Sequence, residues 1–155
     1  MNPRIIQRNE SKVVGLEIRT SNEIEAQPAQ SRIREAWKKF DELKNEIPDR
    51  ANEHIAFGLY SGYESGDKGL YSLAACSEVR TFDRVPEGMV GKIIPPGKYL
   101  VFTAKGEMPH AIMSAWEGIW KYFSNGTSYK RTFTADFEVY DKQRPDDAEI
   151  YIAIK

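Results

Sequence analysis

Cysteine is nearly missing from this chain: Cys76 stands alone, which excludes a disulfide within it. His54 and His110 are the only histidines, so no Cys/His cluster has zinc-ligand spacing, and neither a metal nor a cofactor is expected. An excess of positive charge is missing as well, with Lys+Arg at 22 against Asp+Glu at 23. Proteins that grip nucleic acid draw much of their affinity from basic contacts to phosphate, so direct DNA or RNA binding is not expected. No apolar run approaches the roughly 18 residues of a membrane span. The start, MNPRIIQRNE, has no apolar stretch of a secretory signal. The expectation is a soluble, cytoplasmic chain with no membrane partner.

What remains is ordinary globular material, 41% hydrophobic and 29% charged over 155 residues, which predicts one domain spanning 1–155 with a substantial core. Cys76 lies in the apolar run SLAAC and reads as a buried thiol. Residues 12–20, KVVGLEIRT, alternate like a half-buried strand. After a break at SNEIEAQP, Ile33, Ala36, Trp37, Phe40 and Leu43 recur at helical spacing, between Pro28 and Pro48. HIAFGLYSGY and GLYSLAACSEV then read as two strands around the turn ESGDKG. The Pro- and Gly-rich VPEGMVGKIIPPG reads as a loop. Beyond it, KYLVFTA predicts a strand and Ile112, Ala115, Trp116, Ile119 and Phe123 a second amphipathic helix ending near Gly126. FTADFEVYD and AEIYIAIK close the chain as two more strands.

Strand, helix, strand, strand therefore occurs twice, over about 12–80 and 97–155. The residues repeat with the order: IREAW matches IMSAW at an offset of 79, while FGLY matches FEVY, and Leu70-Tyr71 matches Ile150-Tyr151, at an offset of 80. An internal duplication of one βαββ unit accounts for all three. The fold class is α+β: an antiparallel sheet of two pseudo-two-fold related βαββ units, with two long helices and a central cleft.

Alternation along strands sorts side chains into two faces. Phe57, Leu59, Phe137, Val139, Ile150, Ile152 and Ile154 are expected on one face, beneath the two helices. Gly58, Tyr60, Tyr71, Glu138, Tyr140, Glu149 and Tyr151 are expected on the other, lining a groove between the copies. Tyrosine offers a wide ring with a polar tip, and its face attracts cations. The repeat also sets Gly58 in the place of Glu138, leaving room beside a carboxylate that needs a counter-charge. The same residues would suit a solvated sheet face with no ligand, and the pattern alone leaves both open. Trp37 and Trp116 fit the core, with Trp116 able to turn an edge to the groove; Trp120 fits a lid or an exposed edge.

Taken in order, HIAFGLYSGY, GLYSLAACSEV, IPPGKY, the tryptophan-bearing second helix, FEVY and EIYIAIK resemble the GyrI-like domain, the effector-binding domain of AraC-type and MerR-type multidrug-responsive regulators. The resemblance runs from about Lys12 to Lys155. It implies a concave groove for lipophilic cations and other aromatic compounds, with Glu138 at its centre and Glu149 and Tyr151 among its walls. Only about a dozen residues precede the first expected strand, so a helix-turn-helix module is expected to be missing, as in solitary or cassette-encoded drug-binding forms. The expected role is effector or drug binding, or sensing, by Glu138, Tyr60, Tyr71, Tyr140, Tyr151, Glu149, Trp116 and Gly58. Two other roles stay open. One is a small-molecule hydrolase with Glu138 as general base; the other is a protein that modulates gyrase or a transcription factor in trans.

Overall fold

Alternating β-branched, aromatic and polar residues form eight strands among the residues described by the computed structural model, 2–155. They are β1 (Arg4–Arg8), β2 (Ser11–Ser21), β3 (Ile55–Ser61), β4 (Leu70–Val79), β5 (Val90–Ile94), β6 (Gly97–Lys105), β7 (Arg131–Asp141) and β8 (Asp147–Ile154). Helix α1 spans Asn22–Glu25, α2 Ile33–Leu43 and α3 His110–Ser124. All strands join one antiparallel sheet in the order β1-β6-β8-β7-β3-β4-β2-β5. That order is symmetric about the β7/β3 seam, as expected of a duplicated unit.

Each repeat carries one strand more than the sequence pattern predicts. Strand β1 falls in the segment read as preceding the first strand, and β5 falls in VPEGMVGKIIPPG, read as a loop. Both are short edge strands, and each leaves its own unit to pair with the other: β1 with β6, β5 with β2. Five residues at a sheet edge have too few alternations to stand out from flanking polar and Pro-Gly sequence. The segment SNEIEAQP, read as a break, opens with α1.

Helix α1 supplies a cap for α2. No side chain caps α2 from its own N-terminus; instead Glu25 reaches forward and accepts the backbone N–H groups of Arg32 at 2.9 Å and Ile33 at 3.0 Å, while Thr20 donates to it at 2.5 Å. A carboxylate on the free N–H groups of a helix start is favourable both as a cap and toward the helix dipole. Glu25→Ala is expected to cost about 1 kcal/mol, measured as a lower urea midpoint at unchanged m-value.

The core lies on both faces of the sheet. On one, α3 buries Ile112, Ala115 and Ile119 against Leu100, Phe102, Ile150 and Ile152, while α2 buries Phe40 against Val14, Ala75 and Val79. On the other, Val13, Phe57, Leu59, Tyr99, Phe137 and Tyr151 pack together as the sheet curls around them. The Arg8 guanidinium sits over the rings of Phe57, Phe137 and Tyr151 at 5.9, 5.0 and 5.8 Å. Cys76 is buried in this layer, which pushes its thiol pKa upward and leaves it inert. No helix among the described residues is long and apolar enough to cross a membrane.

This arrangement corrects the expected division of faces. Phe57, Leu59 and Phe137 do not lie under the helices; Ile150, Ile152 and Ile154 do. The register explains it, because Glu138 pairs with Ile150, Phe137 with Tyr151 and Val139 with Glu149. Partners directly across an antiparallel ladder share a face, so Glu149 and Tyr151 lie opposite to Glu138.

Candidate ligand-binding site

Helix α2 packs on β2 and β4 and α3 on β6, so the central strands β3 and β7 form the floor of a groove between the helices. Across this floor Gly58 and Glu138 are direct partners on the pseudo-two-fold. A Cβ on residue 58 would lie 2.8 Å from Glu138 Oε1 and 3.0 Å from Trp37 Cζ2, so glycine is the side chain that leaves both in place.

Glu138 is only 3% exposed. Its Oε2 accepts the indole N–H of Trp116 at 2.7 Å and the hydroxyl of Tyr60 at 3.0 Å, and its Oε1 accepts the hydroxyl of Tyr140 at 2.8 Å. Among the described residues no basic side chain forms an ion pair with it. Burial raises its pKa, and the three hydrogen bonds oppose that rise. The phenols of Tyr60 and Tyr140 are pushed well up, by burial first and by the facing carboxylate second, which keeps them protonated as donors. The result is a buried carboxylate held by three neutral donors, with its charge unbalanced.

Aromatic rings surround it. Tyr60 meets Trp116 edge-on at 5.3 Å and Tyr71 at 5.4 Å, and Trp37 meets Tyr140 edge-on at 5.2 Å. Beside them opens a cavity of about 310 Å³, walled by Tyr60, Tyr63, Tyr71, Trp116, Trp120 and Arg131 among others. Tyr60 and Trp116 line the cavity and both donate to Glu138, which itself lies outside the lining. Met113 and Trp120 of α3, also at this cavity, are 59% and 40% exposed and give its rim an apolar character.

Of the residues singled out in the sequence, the structure brings together Gly58, Tyr60, Tyr71, Trp116, Glu138 and Tyr140. It separates Glu149 and Tyr151 from them. Glu149 pairs with Arg4 at 2.6 Å, and Tyr151 stacks on Phe137 with centroids 4.5 Å apart at 14°. Sequence reasoning missed Tyr63 and Arg131 as cavity residues; Trp37 packs against the α2 core cluster, as expected, and also meets the groove floor at Tyr140. Tyr63 closes the run HIAFGLYSGY but lies beyond the end of β3 at Ser61, and Arg131 opens β7 before a register irregularity, so alternation placed neither on the groove face.

A sheet of two ββαββ copies with a helix-flanked groove on its symmetry seam is the architecture of an effector-binding domain of the GyrI-like kind. The chain belongs to the Cass2 family of integron-associated effector binding proteins, whose family model matches residues 4–154. It is similar to an integron cassette protein, VCH_CASS2, from the mobile metagenome of Vibrio cholerae: 32% identity, TM-score 0.86, covering 99% of this chain and 95% of that one. It is 29% identical over 143 residues to the transcriptional regulator BrlR of Pseudomonas aeruginosa; the match takes in 92% of this chain but about half, 49%, of BrlR. The fold is also that of SAV2435, solved bound to tetraphenylphosphonium, at TM-score 0.74 and 20% identity, with 100% of this chain and 94% of that one covered.

Proposed function

We propose that this protein binds a lipophilic, aromatic cation in the cavity beside Tyr60, Tyr71 and Trp116, with Glu138 as the counter-charge. One observation carries the reading: the carboxylate of Glu138 is buried with no basic side chain paired to it among the described residues, next to an aromatic cavity. An unpaired buried charge costs several kcal/mol, on the order of the penalty set by its lost hydration, and a cation against the ring faces would recover part of it. The family relationship supports an effector-binding role, and the likeness to BrlR, a transcriptional regulator, supports one in transcription regulation. SAV2435, which shares the fold, was solved bound to tetraphenylphosphonium, and this supports a lipophilic cation as the ligand class.

Trp116 and Trp120 at the cavity make the test direct. Titration with tetraphenylphosphonium is expected to give saturable, one-site tryptophan quenching, and the neutral isostere tetraphenylmethane none. Equal quenching by both would remove the electrostatic basis of the proposal.

A further inference from the structure

Among the described residues the cavity wall carries one cation, Arg131, on a strand segment whose backbone departs from regular geometry. Arg131 is 7% exposed at its side chain and lies on the cavity. Its Nη2 donates to Asp136 Oδ2 at 2.6 Å, and its guanidinium stands 4.2 Å from the Phe133 ring centroid. Asp136 is fully buried, takes the N–H of Ala153 at 2.9 Å on its other oxygen and the hydroxyl of Tyr63 at 2.6 Å, and so is fixed from three sides. Between Arg131 and Asp136 the β7–β8 register shifts, and Phe133 takes φ +54°, a conformation rare for a bulky residue. Departures of this kind persist where surrounding structure enforces them, and they cluster at functional sites.

A guanidinium carries five N–H donors. Arg131 spends one on Asp136, and its Nε is buried with no partner. A buried donor without an acceptor is costly enough to be rare in native proteins. The charge of Arg131 is already balanced by Asp136, and Glu25, Asp67 and Glu117 line the same cavity. An anionic ligand group would therefore meet net repulsion there, whereas an uncharged oxygen would meet the terminal guanidinium donors that Asp136 leaves unused; Nε itself, like that of Arg8, is closed off.

We infer that Arg131 is a second anchor of the cavity, donating to a neutral oxygen acceptor on the ligand. The ligand class becomes a lipophilic aromatic cation bearing a carbonyl or ester oxygen, its charge against Tyr60, Tyr71 and Trp116 and its oxygen toward Arg131. This deepens the cation-binding proposal and rests on it.

Three xanthylium dyes that differ at one position separate the two ideas: tetramethylrosamine, with hydrogen; tetramethylrhodamine methyl ester; and tetramethylrhodamine, with a carboxylate. Each is titrated with the full chain by fluorescence anisotropy. The ester is expected to bind about tenfold tighter than rosamine, the scale of one hydrogen bond from a charged donor, and the carboxylate more weakly than the ester. In Arg131→Met with Asp136→Asn, which removes both charges so that neither is stranded, the ester should lose its advantage over rosamine, whatever change in affinity the two dyes share. The wild-type ranking stands even if that variant does not fold. Equal affinity for rosamine and ester, an ester advantage surviving in the variant, or a preference for the carboxylate would each overturn the assignment of Arg131. If none of the dyes binds, the cation-binding proposal itself fails.

Discussion

Replacing Glu138 with glutamine is expected to weaken binding of a lipophilic cation about a hundredfold while making the ligand-free protein more stable. The two effects share one cause. Glutamine can keep the existing network: its carbonyl oxygen can accept from Trp116 and Tyr60, as Oε2 does now, and its amide can donate to the Tyr140 hydroxyl, which accepts as readily as it donates. Shape and hydrogen bonds are retained and only the charge is lost. For a bound cation that removes a buried charge partner, about 3 kcal/mol or a hundredfold in affinity. For the free protein it removes an uncompensated charge, so the melting temperature should rise. Calorimetry with and without tetraphenylphosphonium reads both; a lower melting temperature together with unchanged affinity would leave Glu138 a structural residue.

The pH dependence has opposite signs in the two states. Burial raises the Glu138 pKa above its ordinary value, so the folded protein holds this proton more tightly than the unfolded chain does. The resulting stability is full below the usual glutamate range and is lost as pH rises through the raised, folded-state value. Cation binding requires the ionised form, so affinity should climb over that same window as stability falls. In Glu138→Gln both slopes due to this group should vanish. Tyr60 and Tyr140 titrate far above it and do not contribute there.

The centre of the groove was legible in the sequence because alternation and duplication agree there. FGLY and FEVY share one offset, and the structure sets Gly58 across from Glu138, with Tyr60 and Tyr140 two residues along on the same face. The agreement ended at β8. Gly58 pairs with Ala75 and Glu138 with Ile150, so the fourth strands of the two units correspond at an offset of 75 rather than 80. The likeness of Leu70-Tyr71 to Ile150-Tyr151 is thus coincidental in register: Tyr151 takes the place of Cys76, in the opposite core layer. A turn five residues longer in the first copy causes the slip, and an odd slip reverses every side chain. Alternation fixes phase within a strand, whereas phase between strands depends on turn length. Edge strands β1 and β5 were invisible for a different reason: their pairing partners lie in the other repeat, beyond any local pattern.

Gly58→Val is expected to cost about 3 kcal/mol of stability, at the upper end for overpacking in a well-filled site, or roughly 10 °C in melting temperature for a chain of this size. The cost cannot come from the backbone, since Gly58 is not among the glycines with positive φ. It must come from collision: even the first carbon would lie within 2.8 Å of Glu138 Oε1 and 3.0 Å of Trp37. That origin makes the effect separable. In a Glu138→Ala background one of the two obstacles is gone, so the penalty of Gly58→Val should shrink by at least about 1 kcal/mol, the coupling expected of residues in direct contact. Urea unfolding of the wild type, both single variants and the double variant closes the cycle. An additive result would mean that the carboxylate already yields to a neighbour. The groove floor would then be soft, and Glu138 would not be held in position for a guest by the fold.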